Sequence, residues 1–272
     1  MISHSLFLRG GAHVWTWRGF IVASVLRELR SRYARSLFGW AWLVLPPLVL
    51  IGIYTLVFNR LMRGAGGLPD HGPYTYSMFL CAGLLPWQWF AELLARVVGL
   101  FTNYATLLKK TAVPWYALLA VDVLVTGFGM AVQMGLFAAF LLAVGQWPGW
   151  SAALYLPLLL AQALLAVGLG LGLAVLQVFF RDVGLAVPLV LQVWFWMTAI
   201  VYPLAALPAG AQHLLQWNLM APLVQGYQDI LINPERGVWW TGVGAVVAFS
   251  AVALLASLQL VHRNRGLIRD EL

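Results

Sequence analysis

Charged side chains are sparse: Asp, Glu, Lys and Arg together supply 9% of the 272 residues, against roughly a quarter in an average soluble domain. Hydrophobic residues supply 62%. A water-soluble fold of this length has too little interior to hide so much apolar surface, and large apolar patches left outside drive association. A soluble globular class is therefore excluded, and lipid is the solvent that fits. There is one cysteine, Cys81, so no internal disulfide can form. A lone thiol in an apolar run reads as a small core residue. No Gly-Lys-Ser or Gly-Lys-Thr triplet occurs, which removes the phosphate-cradling loop of ATP-binding chains. His4, His13, His71, His213 and His262 are scattered, without metal-ligand spacing. No Gly-x-Ser-x-Gly elbow is present, and Glu92 and Asp122 are the acids inside the apolar runs, too few for paired-carboxylate chemistry. Neither a catalytic residue nor a metal site is expected.

What remains is a series of long apolar runs. A helix needs about 20 mostly apolar residues to cross a bilayer. Runs at 37–61, 74–101, 115–144, 151–180, 183–202 and 238–261 meet or approach that length. The expected fold is an all-α integral membrane protein with six transmembrane helices, built as a single domain over 1–272 with the spans inside 37–261. Pro46-Pro47 lies in the first run, where a kink is expected. The formal net charge of +7 does not call for nucleic acid, because basic residues collect on the cytoplasmic side of a membrane protein. Arg9, Arg18, Arg27, Arg30, Arg32, Arg35, Lys109, Lys110, Arg181, Arg263, Arg265 and Arg269 fall on one side of this layout, against Arg60, Arg63 and Arg236 on the other. Both termini are thus expected in the cytoplasm. Residues 1–36 are rich in arginine and hold no apolar run of spanning length, so a cleaved signal peptide is not expected.

Two segments break the pattern. In 18–36, Val22, Val25, Leu29 and Tyr33 recur at helical spacing, with Arg27, Glu28, Arg30, Ser31, Arg32 and Arg35 around them. This reads as an amphipathic helix in the cytoplasmic headgroup layer, the alternative being a disordered basic leader. The stretch 203–237 is broken by Pro208, Asn218, Pro222, Asn233 and Pro234, yet holds Leu214, Leu215, Trp217, Leu219, Met220 and Leu223. Short re-entrant helices on the outer side, between the fifth and sixth spans, reconcile the two. Irregular backbone at membrane depth has to be buried in protein or line water. An ordinary surface loop is the alternative.

Charges inside the spans are costly and demand partners. Glu92 and Arg96 are four apart and can pair on one helix face, and Asp122 calls for a basic or hydroxyl partner. Trp40, Val44, Pro47, Ile51, Tyr54 and Phe58 form one stripe at steps of three and four, and the fifth run carries Trp194, Phe195, Trp196 and Tyr202. Such rings either pack or offer π-faces to flat apolar ligand surfaces such as those of sugars. Trp87, Trp89, Trp147, Trp150, Trp239 and Trp240 read as interfacial belt residues.

The run Arg27-Glu28-Leu29-Arg30-Ser31-Arg32-Tyr33-Ala34-Arg35-Ser36-Leu37-Phe38-Gly39-Trp40 is similar to the leading segment of the permease subunits of bacterial polysaccharide ABC exporters, which move O-antigen, capsule and teichoic acid. Tyr54-Thr55-Leu56-Val57-Phe58, Phe179-Phe180-Arg181-Asp182, Ile200-Val201-Tyr202-Pro203 and Asn218-Leu219-Met220-Ala221-Pro222-Leu223 resemble further elements of that family, in order. Leu219 departs from the usual proline. The resemblance implies a homodimeric permease of the bacterial inner membrane with separate nucleotide-binding ATPase subunits, on which ATP and Mg²⁺ would sit, leaving this chain without a cofactor. It implies a lipid-linked polysaccharide as substrate, O-antigen-like first, with capsule, teichoic acid or a small molecule carried on the same fold as alternatives. Arg27, Arg30, Arg32 and Arg35 are then candidates for the substrate headgroup. Trp40, Tyr54, Phe58, Trp194 and Tyr202 are candidates for the channel lining. Lys109 and Lys110, in the loop 103–114, are candidates for ATPase coupling. A membrane enzyme or a passive scaffold is the competing class.

Overall fold

A computed structural model describes residues 15–33, 39, 41–53, 55, 73–204, 208, 210, 212, 215 and 217–271. Among these, every regular element is a helix: α1 (Arg18–Tyr33), α2 (Ala41–Ile53), α3 (Thr75–Val98), α4 (Leu100–Asn103), α5 (Ala105–Lys110), α6 (Trp115–Ala143), α7 (Tyr155–Phe179), α8 (Asp182–Trp196), α9 (Ala221–Ile232), α10 (Trp240–Arg263) and α11 (Arg265–Glu271). A 3₁₀ turn, Gly149–Leu154, leads into α7. The local chemistry explains the boundaries. Pro114 holds an extended backbone directly before α6, where its missing N–H costs nothing. Gly145, at φ +72°, stops α6 in the left-handed conformation that glycine adopts freely, while Gln146 N donates back to Leu141 O at 2.9 Å. Asp182 opens α8 in its first turn, where a carboxylate meets the positive end of the helix dipole.

Among the described residues, four stretches are long and apolar enough to cross a membrane: Thr75–Val98, Trp115–Ala143, Gly149–Phe179 and Trp240–Arg263. They match the second, third, fourth and sixth expected runs. The fifth forms α8, which has 15 residues and so rises about 22 Å; the chain leaves the helix at Met197. Of the first, α2 is described, and it continues as a helix through Pro46 and Pro47.

The core is centred on α3, buried along most of its length and flanked by α6, α7, α8 and α9. Trp87 and Trp89, 5% and 7% exposed, are core residues and not the belt residues expected from sequence. They sit midway along α3, and the Trp87 ring meets those of Trp194 and Phe195 on α8 at 6.0 and 5.8 Å. Trp147, Trp150, Trp239 and Trp240 are exposed, as a belt position requires. Gln162, fully buried, ties three elements together. Its Nε2 donates to Pro86 O on α3 at 2.7 Å, and its Oε1 accepts from Tyr227 OH on α9 at 2.7 Å.

α7 and α10 pack backbone to backbone. A Cβ on Gly168 would stand 2.8 Å from the backbone oxygen of Ser250 and 3.2 Å from the nitrogen of Leu254, so only glycine lets the two backbones approach this far. Ser257 Oγ donates across the seam to Gly168 O at 2.8 Å. Beside this pair, α8 borders an open apolar groove of about 650 Å³, walled by residues such as Leu173, Leu176, Val187, Leu191, Ala253 and Leu260.

The amphipathic helix is present as α1, with a corrected face. Ile21, Val25 and Leu29, four apart, pack on Ala117, Val121 and Val125 of α6. Val22 is 55% exposed, one position round from the buried stripe. The Tyr33 side chain lies outside the described residues. In the 203–237 stretch, α9 is buried on nearly every side.

Candidate functional site

The densest set of charges among the described residues lies where α1, α3 and α6 meet. α1 contributes Glu28 and Arg32, α3 contributes Glu92 and Arg96, α6 contributes Asp122, and Tyr104 stands at the junction of α4 and α5. Arg96 is the hub. Its Nη1 donates to Glu28 Oε1 at 2.7 Å and to Asp122 Oδ1 at 3.2 Å, and its Nε donates to Glu92 Oε1 at 3.3 Å. Arg32 Nη2 reaches Glu92 Oε1 at 3.3 Å and Glu28 Oε1 at 4.0 Å. Tyr104 OH donates to Asp122 Oδ1 at 3.0 Å. The Asp122 side chain is 3% exposed, so it depends on these two donors, since a buried charge needs both a counter-charge and hydrogen bonds. Burial first, and the Asp122 carboxylate second, push the pKa of the Tyr104 phenol well above its ordinary range, so it stays protonated and a donor.

The Glu92–Arg96 pair is as the spacing implied, and Asp122, expected to meet a basic or hydroxyl partner, meets one of each. Glu28 and Tyr104 were missed. The signal for Glu28 was present: it is the single acid among the arginines of 27–35.

The headgroup candidates divide. Arg27 and Arg30 are exposed and form no ion pair with a described residue, Arg32 is shared between two carboxylates, and Arg35 lies outside the described residues. Lys109 and Lys110 are exposed at the end of α5, a helix with no buried residue. Thr111 closes it by donating from N to Leu107 O at 2.9 Å.

Of the lining candidates, Trp40, Tyr54 and Phe58 lie outside the described residues. Between them, Pro47 and Ile51 of the same stripe turn inward and are buried. Trp194 is half-buried and edge-on to Phe90 at 5.5 Å, and its Nε1 donates to Asn218 Oδ1 at 2.7 Å. Asn218 Oδ1 also accepts from Met220 N at 3.0 Å, and its Nδ2 donates to Met197 O and Thr198 Oγ1, both at 2.9 Å. This one amide thus fastens the end of α8 to the start of α9. Tyr202 OH donates to Trp196 O at 2.6 Å.

These features define a multi-pass helical membrane protein with a charged clasp where an amphipathic helix meets its spans, and a short exposed helix beside that clasp. The chain belongs to the ABC-2 type transporter membrane family, whose profile matches residues 20–232. It is 30% identical over 255 residues to the O-antigen export system permease protein RfbA of Myxococcus xanthus, covering 93% of this chain and 95% of that one. It is 28% identical over 214 residues to the RfbA protein of Klebsiella pneumoniae, covering 78% and 80%. It is 27% identical over 255 residues to the polysialic acid transport protein KpsM of Escherichia coli, covering 90% and 93%.

Proposed function

We propose that this chain is the membrane permease of an ATP-driven exporter that carries a lipid-linked, O-antigen-like polysaccharide from the cytoplasmic face across the bacterial inner membrane. The observation that carries the reading is similarity to O-antigen permeases over 93% of this chain, combined with two exposed arginines that form no ion pair with a described residue, on a helix otherwise fastened to the spans. It works as a homodimer with two ATPase subunits. ATP and Mg²⁺ belong on those partners, and this chain performs no catalysis of its own. The apolar run 37–61, whose described part is α2, and the run 183–202, which holds the short α8, complete six spans, with both termini cytoplasmic by the distribution of basic residues. α9, at 12 residues, is too short to cross a core of about 30 Å, and its burial supports a re-entrant helix on the outer side.

In this reading Arg27 and Arg30 receive the diphosphate of the carrier lipid. Guanidinium groups suit it because they offer paired donors to phosphate oxygens. Trp40, Tyr54, Phe58, Trp194 and Tyr202 border the sugar path. α5, with Lys109 and Lys110, docks the ATPase.

The test is export of lipid-linked glycan by the reconstituted permease–ATPase complex. Arg27→Lys and Arg30→Lys keep the charge but lose the planar fork, and each is expected to slow export roughly tenfold, the order of one lost charge-assisted hydrogen bond. Simple attraction to anionic lipid survives that change, so full-rate export by both variants ends the capture role. Lys109→Glu with Lys110→Glu is expected to lower the yield of ATPase co-purified with the permease. An unchanged yield removes these lysines from docking.

A further inference from the structure

Trp217 and Trp239 border one small pocket between the segment leading into α9 and the first turns of α10, together with Asn218, Pro222 and Thr241. Its volume is about 210 Å³, below the roughly 300–1,000 Å³ of pockets for drug-sized ligands, which suits a single ring. None of the described residues lining it is charged. Trp217 is 89% exposed and Trp239 46%, so both indoles are open to a ligand. A Cβ on Gly242 would stand 2.6, 2.7 and 3.0 Å from Cε3, Cδ2 and Cζ3 of Trp239. Three nearly equal distances put the glycine under a face of that ring and not at its edge, so the other face is turned away from Gly242. The carbonyl of Trp239 accepts from Val243 N at 3.0 Å, which fixes its backbone to the start of α10. Trp217 precedes Asn218, whose amide is fully occupied by Trp194, Met197, Thr198 and Met220 and so anchors the pocket wall without binding anything in it. Thr241 is exposed, and its hydroxyl forms no hydrogen bond with a described residue.

Exposed indoles alone fit a belt at the membrane surface. A belt has no use for a shared pocket, for a glycine that lets one ring lie flat, or for a free hydroxyl beside it. A sugar ring uses all three. Its C–H face meets the negative π-face of an indole, and its hydroxyls meet Thr241 and the indole N–H groups. We propose that this pocket is an exit subsite on the outer side that takes one neutral sugar ring of the exported polymer against Trp217 and Trp239. This deepens the polysaccharide reading and rests on it for the source of the sugar and for the outer side. The uncharged lining selects neutral rings over acidic ones, since a carboxylate brought there loses water and gains no cation. Asn218 both borders the pocket and accepts from Trp194 at 2.7 Å, which joins the subsite to the lining proposed on α8.

The probe is mannohexaose, a neutral oligomer, added without ATP to the permease–ATPase complex in phosphatidylethanolamine–phosphatidylglycerol nanodiscs. Its affinity is read by saturation transfer from protein to sugar C–H protons. Trp217→Leu and Trp239→Leu keep apolar bulk and lose the π-face, and each is expected to weaken binding about threefold to tenfold, the contribution of one aromatic contact. Gly242→Ala keeps both indoles but lifts the Trp239 ring, and helix propensity favours it. It is expected to weaken binding about as much as Trp239→Leu, with no further loss when the two are combined. A sialic acid oligomer, the anionic counterpart, is expected to bind about fivefold more weakly or worse. No binding to wild type, or wild-type affinity in both Leu variants, leaves the rings as belt residues and overturns the subsite. Wild-type affinity in Gly242→Ala, or equal affinity for the two oligomers, overturns it as drawn. Binding that weakens as stated, in a complex that exports no lipid-linked glycan, upholds the sugar pocket and ends the export reading instead.

Discussion

Replacing Arg96 with methionine keeps most of the apolar stem and removes the charge at the centre of the clasp. The cost can be apportioned from exposure. Glu28 and Glu92 have side chains 29% and 43% exposed, so both can turn to water and to Arg32, and their share is about 1 kcal/mol or less. Asp122 has no such escape at 3% exposure. It would keep only the Tyr104 hydroxyl, and a buried carboxylate stripped of its counter-charge costs about 3–5 kcal/mol. The total is thus set by Asp122, and corresponds to a fall in midpoint of roughly 6–20 °C for a chain of this size. Thermal survival of the folded peak on size exclusion in detergent reads it. The second half of the prediction is sharper. Asp122→Asn placed on the Arg96→Met background removes the stranded charge and is expected to recover most of the loss. If Arg96→Met is as stable as wild type, or the double variant is less stable than the single one, the burial argument is wrong.

Two further predictions concern packing. Tyr227→Phe leaves the buried Gln162 Oε1 without the donor now at 2.7 Å and is expected to cost about 1–3 kcal/mol, read by the same thermal assay; no change would mean that the amide finds another donor. Gly168→Ala must push apart two helix backbones now within 2.8 Å of the added carbon, at about 1–3 kcal/mol, whereas Gly127→Ala meets nothing within 4 Å and is expected to gain up to about 1 kcal/mol from helix propensity. Equal effects would remove close approach as the reason for Gly168.

The class of the protein, the long spans and the amphipathic helix were legible because hydropathy and helical spacing are local properties of the chain. The partners of Asp122 were legible as alternatives of type, a base or a hydroxyl, because a buried carboxylate allows little else. Their identities were not, since Asp122 meets Arg96 and Tyr104 across 26 and 18 positions and no local period encodes that. Trp87 and Trp89 were misplaced for a related reason. The predicted run 74–101 sets only their depth, whereas what lies beside them is decided by other elements, and the α8 rings against Trp87 belong to a segment about a hundred residues later. The Val22 face was off by one position because 22, 25, 29 and 21, 25, 29 are both helical spacings, and only contact with α6 chooses between them.

The glycine seam between α7 and α10 has a consequence for motion. Two backbones in contact, with a serine hydroxyl bonded across them, cannot slide by a fraction of a turn without collision, so these two spans behave as one rigid post. α8 is different. It rests on α3 through edge-on and tilted rings, and the groove of about 650 Å³ opens between it and that post. Any widening of a path through the molecule can therefore swing α8 into the groove at little steric cost, with Asn218 as the tether that carries the start of α9 along with it.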